Sequence, residues 1–152
     1  MTVLFTGGGT LGPVTPLLAV LRQIKKRRQD LEFAWAGTPN GPEKAVVERE
    51  GVEFFTIPEA KISRHPTIKW LTWPFDYLRA RLASYLTIGH IRPSLVVSAG
   101  GFTSVPVINA ARRKKIPCAI HQLDAEPGLA NKAVAKLCQS VTTSFSYDIP
   151  PF

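Results

Sequence analysis

Sulfur, histidine and acidic side chains are scarce in this chain, and long apolar runs are missing. The 152 residues include two cysteines, one methionine and three histidines. Cys118 and Cys138 sit within apolar patterns at no metal-ligand spacing, so buried reduced thiols are expected and a metal site is not. No stretch approaches the roughly 20 apolar residues that cross a bilayer. The opening Met1-Thr2-Val3-Leu4-Phe5-Thr6 reaches glycines too soon, and without a basic start, to be a secretory signal, which predicts a cytoplasmic location. Eleven acidic against nineteen basic residues leave a net charge of +8, and the pI is about 9.9. That excess favours an anionic partner, whether a membrane surface, a phosphorylated substrate or nucleic acid. No nucleic-acid motif accompanies it, so no nucleic-acid partner is expected.

Apolar residues make up 45% and charged residues 20%, enough apolar content to build one core, and the length is too short for two ordinary domains. Short apolar runs alternate with amphipathic segments of helix length, the pattern of βαβ units. Strands are predicted at Val3 to Thr6, Glu32 to Ala36, Glu53 to Ile57, Leu95 to Ser98, Cys118 to His121 and Val141 to Ser144. Helices are predicted at Val14 to Arg28, Pro42 to Glu50, Phe75 to His90, Ser104 to Lys114 and Gly128 to Leu137. The expected fold is α/β: a doubly wound, mostly parallel, Rossmann-like sheet of about six strands with helices on both faces. Lys25-Lys26-Arg27-Arg28 and Arg112-Arg113-Lys114-Lys115 each end a predicted helix, where cations oppose the negative dipole end, so part of the charge has a local explanation. Residues 1–147 read as the domain and 148–152 as a tail or the start of a linker.

Gly7-Gly8-Gly9-Thr10-Leu11-Gly12 follows the first strand and opens the first helix, with Pro13 suited to the first turn. Glycines there allow a sharp turn and close approach of a ligand, and unpaired N–H groups at a helix start attract an anion. A tight turn without any ligand would use the same glycines. The run also fits G-x-G-x-x-G, but a dinucleotide site asks for an acidic or arginine residue at the end of the second strand, where Trp35-Ala36-Gly37-Thr38 stands. A Walker loop would need Gly-Lys-Ser/Thr, which is missing. A second glycine loop, Ser98-Ala99-Gly100-Gly101-Phe102-Thr103-Ser104, follows the fourth strand. In a sheet of order 3-2-1-4-5-6 the first and fourth strands are neighbours, so both loops would face one crevice suited to a pyrophosphate. Thr10, Thr103 and Ser104 could add hydroxyl donors, and Thr103 or Ser104 could equally cap a helix.

These residues resemble a known family. Gly7 to Pro16 is similar to the N-terminal glycine signature of MurG-type N-acetylglucosaminyltransferases, and Pro93 to Pro106 to their second glycine loop. His121-Gln122-Leu123-Asp124 stands where the family has His-Glu-Gln-Asn, and Pro127 to Lys132 continues the match. The resemblance implies one half of a GT-B fold, the acceptor-binding N-terminal domain, with the C-terminal donor domain and its UDP-N-acetylglucosamine lying outside this sequence. It implies no further cofactor. It also implies a lipid-linked diphosphate sugar acceptor, a donor-binding domain or chain as partner, and a peripheral position on the inner face of the cell membrane. Acceptor and phosphate contacts are then expected from Gly8, Gly9, Thr10, Leu11, Gly12, Gly100, Gly101, Phe102, Thr103, Ser104, Gln122 and Asn131. The family's first loop ends in Gly-Gly-His, a favoured candidate for the catalytic base, and here Leu11-Gly12-Pro13 replaces it. His121 and Asp124 are the titratable candidates that remain near the crevice. His121 could also be a hydrogen-bonded ring at a strand end, and Asp124 a turn residue. Other readings are a non-catalytic anchoring subunit of a two-chain glycosyltransferase and a dinucleotide-dependent oxidoreductase domain.

Ile68-Lys69-Trp70-Leu71-Thr72-Trp73-Pro74-Phe75 and the following residues to Arg81 combine large aromatics with cations. Such surfaces suit the headgroup boundary of an anionic bilayer. Membrane contact is expected from Ile68, Lys69, Trp70, Leu71, Trp73, Phe75, Arg79 and Arg81, each cation contributing about 1 kcal/mol if it reaches anionic lipid. The same apolar residues could instead pack a helix onto the sheet.

Overall fold

Parallel strands buried on both faces carry apolar residues at successive positions, and the first strand, Thr2–Thr6 (β1), does so. Its Val3 and Phe5 point into one core and Leu4 into the other. The structure, a computed structural model, describes residues 1–60, 69–147 and 152, and of Lys69 and Trp70 the backbone alone. The predicted tail, apart from Phe152, and membrane candidate Ile68 lie outside the described residues. The remaining strands are Glu32–Gly37 (β2), Glu53–Thr56 (β3), Leu95–Ser98 (β4), Cys118–Gln122 (β5) and Ser140–Thr143 (β6). Helices are Val14–Arg27 (α1), Glu43–Arg49 (α2), Lys69–Ile91 (α3), Ser104–Arg113 (α4) and Leu129–Val134 (α5), the last extended by a 3-10 turn over Ala135–Leu137.

The six strands among the described residues are all parallel, in the order β3-β2-β1-β4-β5-β6. Leu17, Leu18 and Leu21 of α1 and Val47 of α2 cover the Val3/Phe5/Trp35 face. Ala80 and Ile88 of α3, Val107, Ile108, Ala110 and Ala111 of α4 and Val134 of α5 cover the Leu4/Ala36/Val96/Ile120 face. The sheet is therefore wound in both directions from β1 and β4, and the loops following those neighbouring strands meet where the winding reverses. Lys25, Lys26 and Arg27 occupy the last turn of α1, and Arg112 and Arg113 that of α4, as dipole compensation predicts. Both cysteines are free thiols, and burial pushes Cys118 up to about 12 and Cys138 up to about 11.

Helix α3 departs from expectation. It starts at Lys69 rather than Phe75 and carries Pro74 inside it. As the sixth residue of the helix, Pro74 lies past the first turn and lacks the N–H that would bond the carbonyl four residues back. Its inward stripe is narrow, Ala80, Ser84 and Ile88, all fully buried. Leu71, Phe75, Leu78, Leu82 and Leu86, spaced at three and four residues, remain 59–81% exposed. No helix among the described residues is long and apolar enough to cross a membrane.

Candidate functional site

The two glycine loops are in contact. A Cβ added to Gly101 would lie 2.9 Å from the Gly8 carbonyl oxygen and 3.2 Å from its nitrogen, and one added to Gly7 would lie 3.3 Å from the Gly100 oxygen. Gly9, Gly100 and Gly101 have φ of +85°, +105° and +89°, conformations that side chains with a Cβ rarely adopt. The loops thus converge as the strand order predicts, with one correction. Backbone fills the space between Gly8 and Gly101, so a ligand has access to the rim, where Gly9, Thr10, Leu11, Gly12 and Phe102 are exposed.

Hydrogen bonding narrows the donors further. Gly7 N–H donates to Ala36 O, Gly9 N–H to the Glu43 carboxylate, Gly100 N–H to Ser98 Oγ and Ser104 N–H to Gly101 O. Among the described residues the amides of Thr10, Leu11, Gly12, Gly101 and Thr103 make no hydrogen bond. Neither Thr103 nor Ser104 caps α4 through its side chain. Ser104 Oγ donates to Gly101 O at 2.6 Å, and Thr103 Oγ1 is buried without a partner.

Two residues that sequence reasoning passed over hold the first loop. Trp35, stacked on Phe5 at 5.8 Å, donates its indole N–H to Gly7 O at 3.0 Å. Glu43 opens α2 and is fully buried; its Oε1 accepts from Gly9 N, Thr38 N and Thr38 Oγ1 at 3.2, 2.8 and 2.5 Å. An acidic residue does therefore follow β2, but its carboxylate is turned onto backbone amides and closed to solvent. A nucleotide ribose needs an accessible carboxylate there, so the dinucleotide reading loses support.

The second loop is braced from below. Asn131, 4% exposed, donates from Nδ2 to Gln122 Oε1 at 2.7 Å, and its Oδ1 lies 3.3 Å from where a Gly100 Cβ would be. Gln122 Nε2 donates in turn to the carbonyls of Asp124 and Glu126. Gln122 and Asn131 thus connect the 122–126 turn to the loop, and both are buried rather than open to a ligand.

His121 is directed elsewhere. Strand alternation puts it on the face opposite Gln122, and its ring nitrogens lie 2.8 Å from Thr142 Oγ1 and 3.0 Å from Ser144 Oγ, on and just past the β6 edge. Asp124 is exposed, and its carboxylate makes no hydrogen bond or ion pair among the described residues. The single Tyr147 O–H proton is shared between the carbonyls of Asp124 at 3.1 Å and Ala125 at 2.9 Å, holding that turn.

Of the membrane candidates on α3, Leu71, Phe75 and Arg79 are exposed and Arg81 is half-buried. Trp73 faces inward instead: it is half-buried, donates its indole N–H to Ala60 O at 3.1 Å and stacks on Tyr77 at 5.3 Å. A separate depression of about 400 Å³ on the outer face of α1, lined by Val20, Gln23, Arg27 and Arg28 among others, includes none of the loop residues.

Comparison with known proteins agrees with this arrangement. Residues 3–143 match the glycosyltransferase family 28 N-terminal domain. The chain is 38% identical over 143 residues to a UDP-N-acetylglucosamine–N-acetylmuramyl-(pentapeptide) pyrophosphoryl-undecaprenol N-acetylglucosamine transferase of Clostridium botulinum strain Loch Maree, covering 94% of this chain and 40% of the relative. It is likewise 38% identical over 145 residues to the same-named protein of a Nocardioides species, covering 95% of this chain and 40% of that one. The crystal structure of Acinetobacter baumannii MurG superposes with a TM-score of 0.81 at 27% identity, covering 98% of this chain and 42% of that one. The chain thus spans about 40% of the length of the curated relatives it matches.

Proposed function

The chain belongs to glycosyltransferase family 28 through its N-terminal domain, and from that premise we propose that it is the acceptor-binding, membrane-facing half of an inverting N-acetylglucosaminyltransferase acting on a lipid-linked muramyl-pentapeptide. The carrying observation is the meeting of two glycine turns, each opening a helix, with five backbone amides that make no hydrogen bond among the described residues. A diphosphate is the part of such an acceptor that unpaired amides at two helix N-termini would hold. Its lipid end would leave the site toward the exposed apolar face of α3, which we read as the membrane contact, with Arg79 and Arg81 serving anionic headgroups.

Transfer requires a hydroxyl of the acceptor sugar to attack the anomeric carbon of UDP-N-acetylglucosamine, inverting it as UDP departs. A donor-binding domain has to supply that substrate, and this chain by itself is proposed to be inactive. Proline at position 13 cannot accept the hydroxyl proton. The exposed Asp124 carboxylate, without a partner among the described residues, is the proposed base, while both ring nitrogens of His121 are already engaged.

The test is transfer of labelled N-acetylglucosamine to lipid-linked muramyl-pentapeptide, by this chain alone and by this chain fused ahead of the donor half of the Clostridium botulinum relative. Transfer by the fusion only is expected. A folded fusion that binds UDP-N-acetylglucosamine and the acceptor yet gives no product refutes catalysis. Pro13 favours a second reading, a non-catalytic anchoring partner. Turnover that appears only after Pro13→His would establish that reading.

A further inference from the structure

Glu43 is the one acidic side chain among the described residues that is fully buried, and no cation accompanies it. One oxygen gathers the Gly9 amide and both donors of Thr38, while Oε2 is buried without a partner. Glycines surround the carboxylate: a Cβ on Gly8 would overlap Oε1, and one on Gly41 would overlap Oε2 and Thr38 Oγ1. The β2–α2 turn and the β1–α1 loop, whose Gly9 lies 34 residues before Glu43, therefore close on one side chain.

We infer that Glu43 is a positioning residue for the anion site: its carboxylate takes up the Gly9 amide and holds the first glycine loop in the shape that leaves the Thr10, Leu11 and Gly12 amides to the ligand. The inference rests on the phosphate-binding reading above. An acceptor oxygen in that place does the holding, whereas a negative charge beside an anion site opposes binding. Glutamine keeps the oxygen and removes the charge, and alanine removes both. The two variants must then diverge, which a role in stability alone does not require.

The experiment uses the 152-residue chain, with inorganic pyrophosphate as probe and amide NMR as readout. Without ligand, Glu43→Ala is expected to speed exchange of the Gly9 amide at least tenfold, and Glu43→Gln to leave it within threefold of wild type. With pyrophosphate, Glu43→Ala is expected to bind at least fivefold more weakly, and Glu43→Gln as tightly as wild type or tighter. Unchanged Gly9 exchange in the alanine variant, or glutamine binding as weakly as alanine, overturns the inference. Should the alanine variant not fold, Thr38→Val removes one of the three donors and is expected to speed Gly9 exchange at least threefold; no change overturns the inference. If wild type itself gives no pyrophosphate shifts, the phosphate reading fails, and Gly9 exchange alone then decides the role of Glu43.

Discussion

Replacing Gly101 with alanine tests whether the two loops touch, and Gly9→Ala supplies the control. Both glycines have positive φ, +89° and +85°, so an added Cβ costs each about 1–2 kcal/mol in backbone strain. They differ in their surroundings. Nothing lies within 4 Å of a Cβ on Gly9, whereas a Cβ on Gly101 meets backbone atoms of Gly8 at 2.9 and 3.2 Å. Backbone cannot rotate aside as a side chain does, and overpacking of this kind adds about 1–3 kcal/mol. Gly9→Ala should therefore destabilise by about 1–2 kcal/mol and Gly101→Ala by about 2–5 kcal/mol. Urea unfolding at matched m-values would measure both. Relief of the overlap must push the first loop away, so pyrophosphate shifts at Thr10 to Gly12 should weaken in Gly101→Ala. Equal destabilisation by the two variants would refute the contact and with it the shared crevice.

Leu78→Glu combined with Leu82→Glu, at positions 61% and 59% exposed, should leave unfolding free energy within about 0.5 kcal/mol of wild type. Sedimentation with anionic vesicles should fall about 100-fold if each leucine contributes about 1.5 kcal/mol of burial in lipid; unchanged sedimentation removes α3 as the contact. In the fused enzyme, Asp124→Asn should lower kcat by about 10²–10⁴-fold, while His121→Gln should cost far less. The reverse ranking exchanges their roles. Cys118, pushed up to about 12 from an ordinary 9.0, stays neutral in the folded chain at pH values where the unfolded chain ionises. Its stabilisation is complete below about pH 9 and is lost as pH rises toward about 12, by at most about 1.4 kcal/mol per pH unit. Cys118→Ala should flatten that decline in urea titrations, and an unaltered slope would contradict the burial argument.

Local signals carried much of the architecture. Apolar runs of strand length, amphipathic runs of helix length and glycines at two strand ends predict all six strands and five helices within a few residues, α3 excepted. There the predicted helix began at Phe75, whereas the observed one runs through Pro74, a residue that interior positions of a helix disfavour. Alternation along Cys118–Gln122 also carried an unused signal. Adjacent strand residues face opposite ways, so His121 and Gln122 could not both serve one crevice.

Glu43 was illegible for a different reason. A glutamate at the start of a helix reads as a favourable dipole partner in solvent, and nothing within a few residues of it announces burial. Trp35 was equally silent, since its partner, the Gly7 carbonyl, is 28 residues away. The α3 surface was undecided between core and membrane because an apolar stripe at helical spacing serves either, and only the packed sheet selects which side is covered.

Strand and helix identity, the parallel class and the place of the glycine turns follow from the order of residues alone, since each depends on neighbours a few positions apart. Which amides remain unpaired, which carboxylate is enclosed and which apolar face is left open were decided only by the tertiary structure, because those properties depend on atoms that the chain brings together from distant segments.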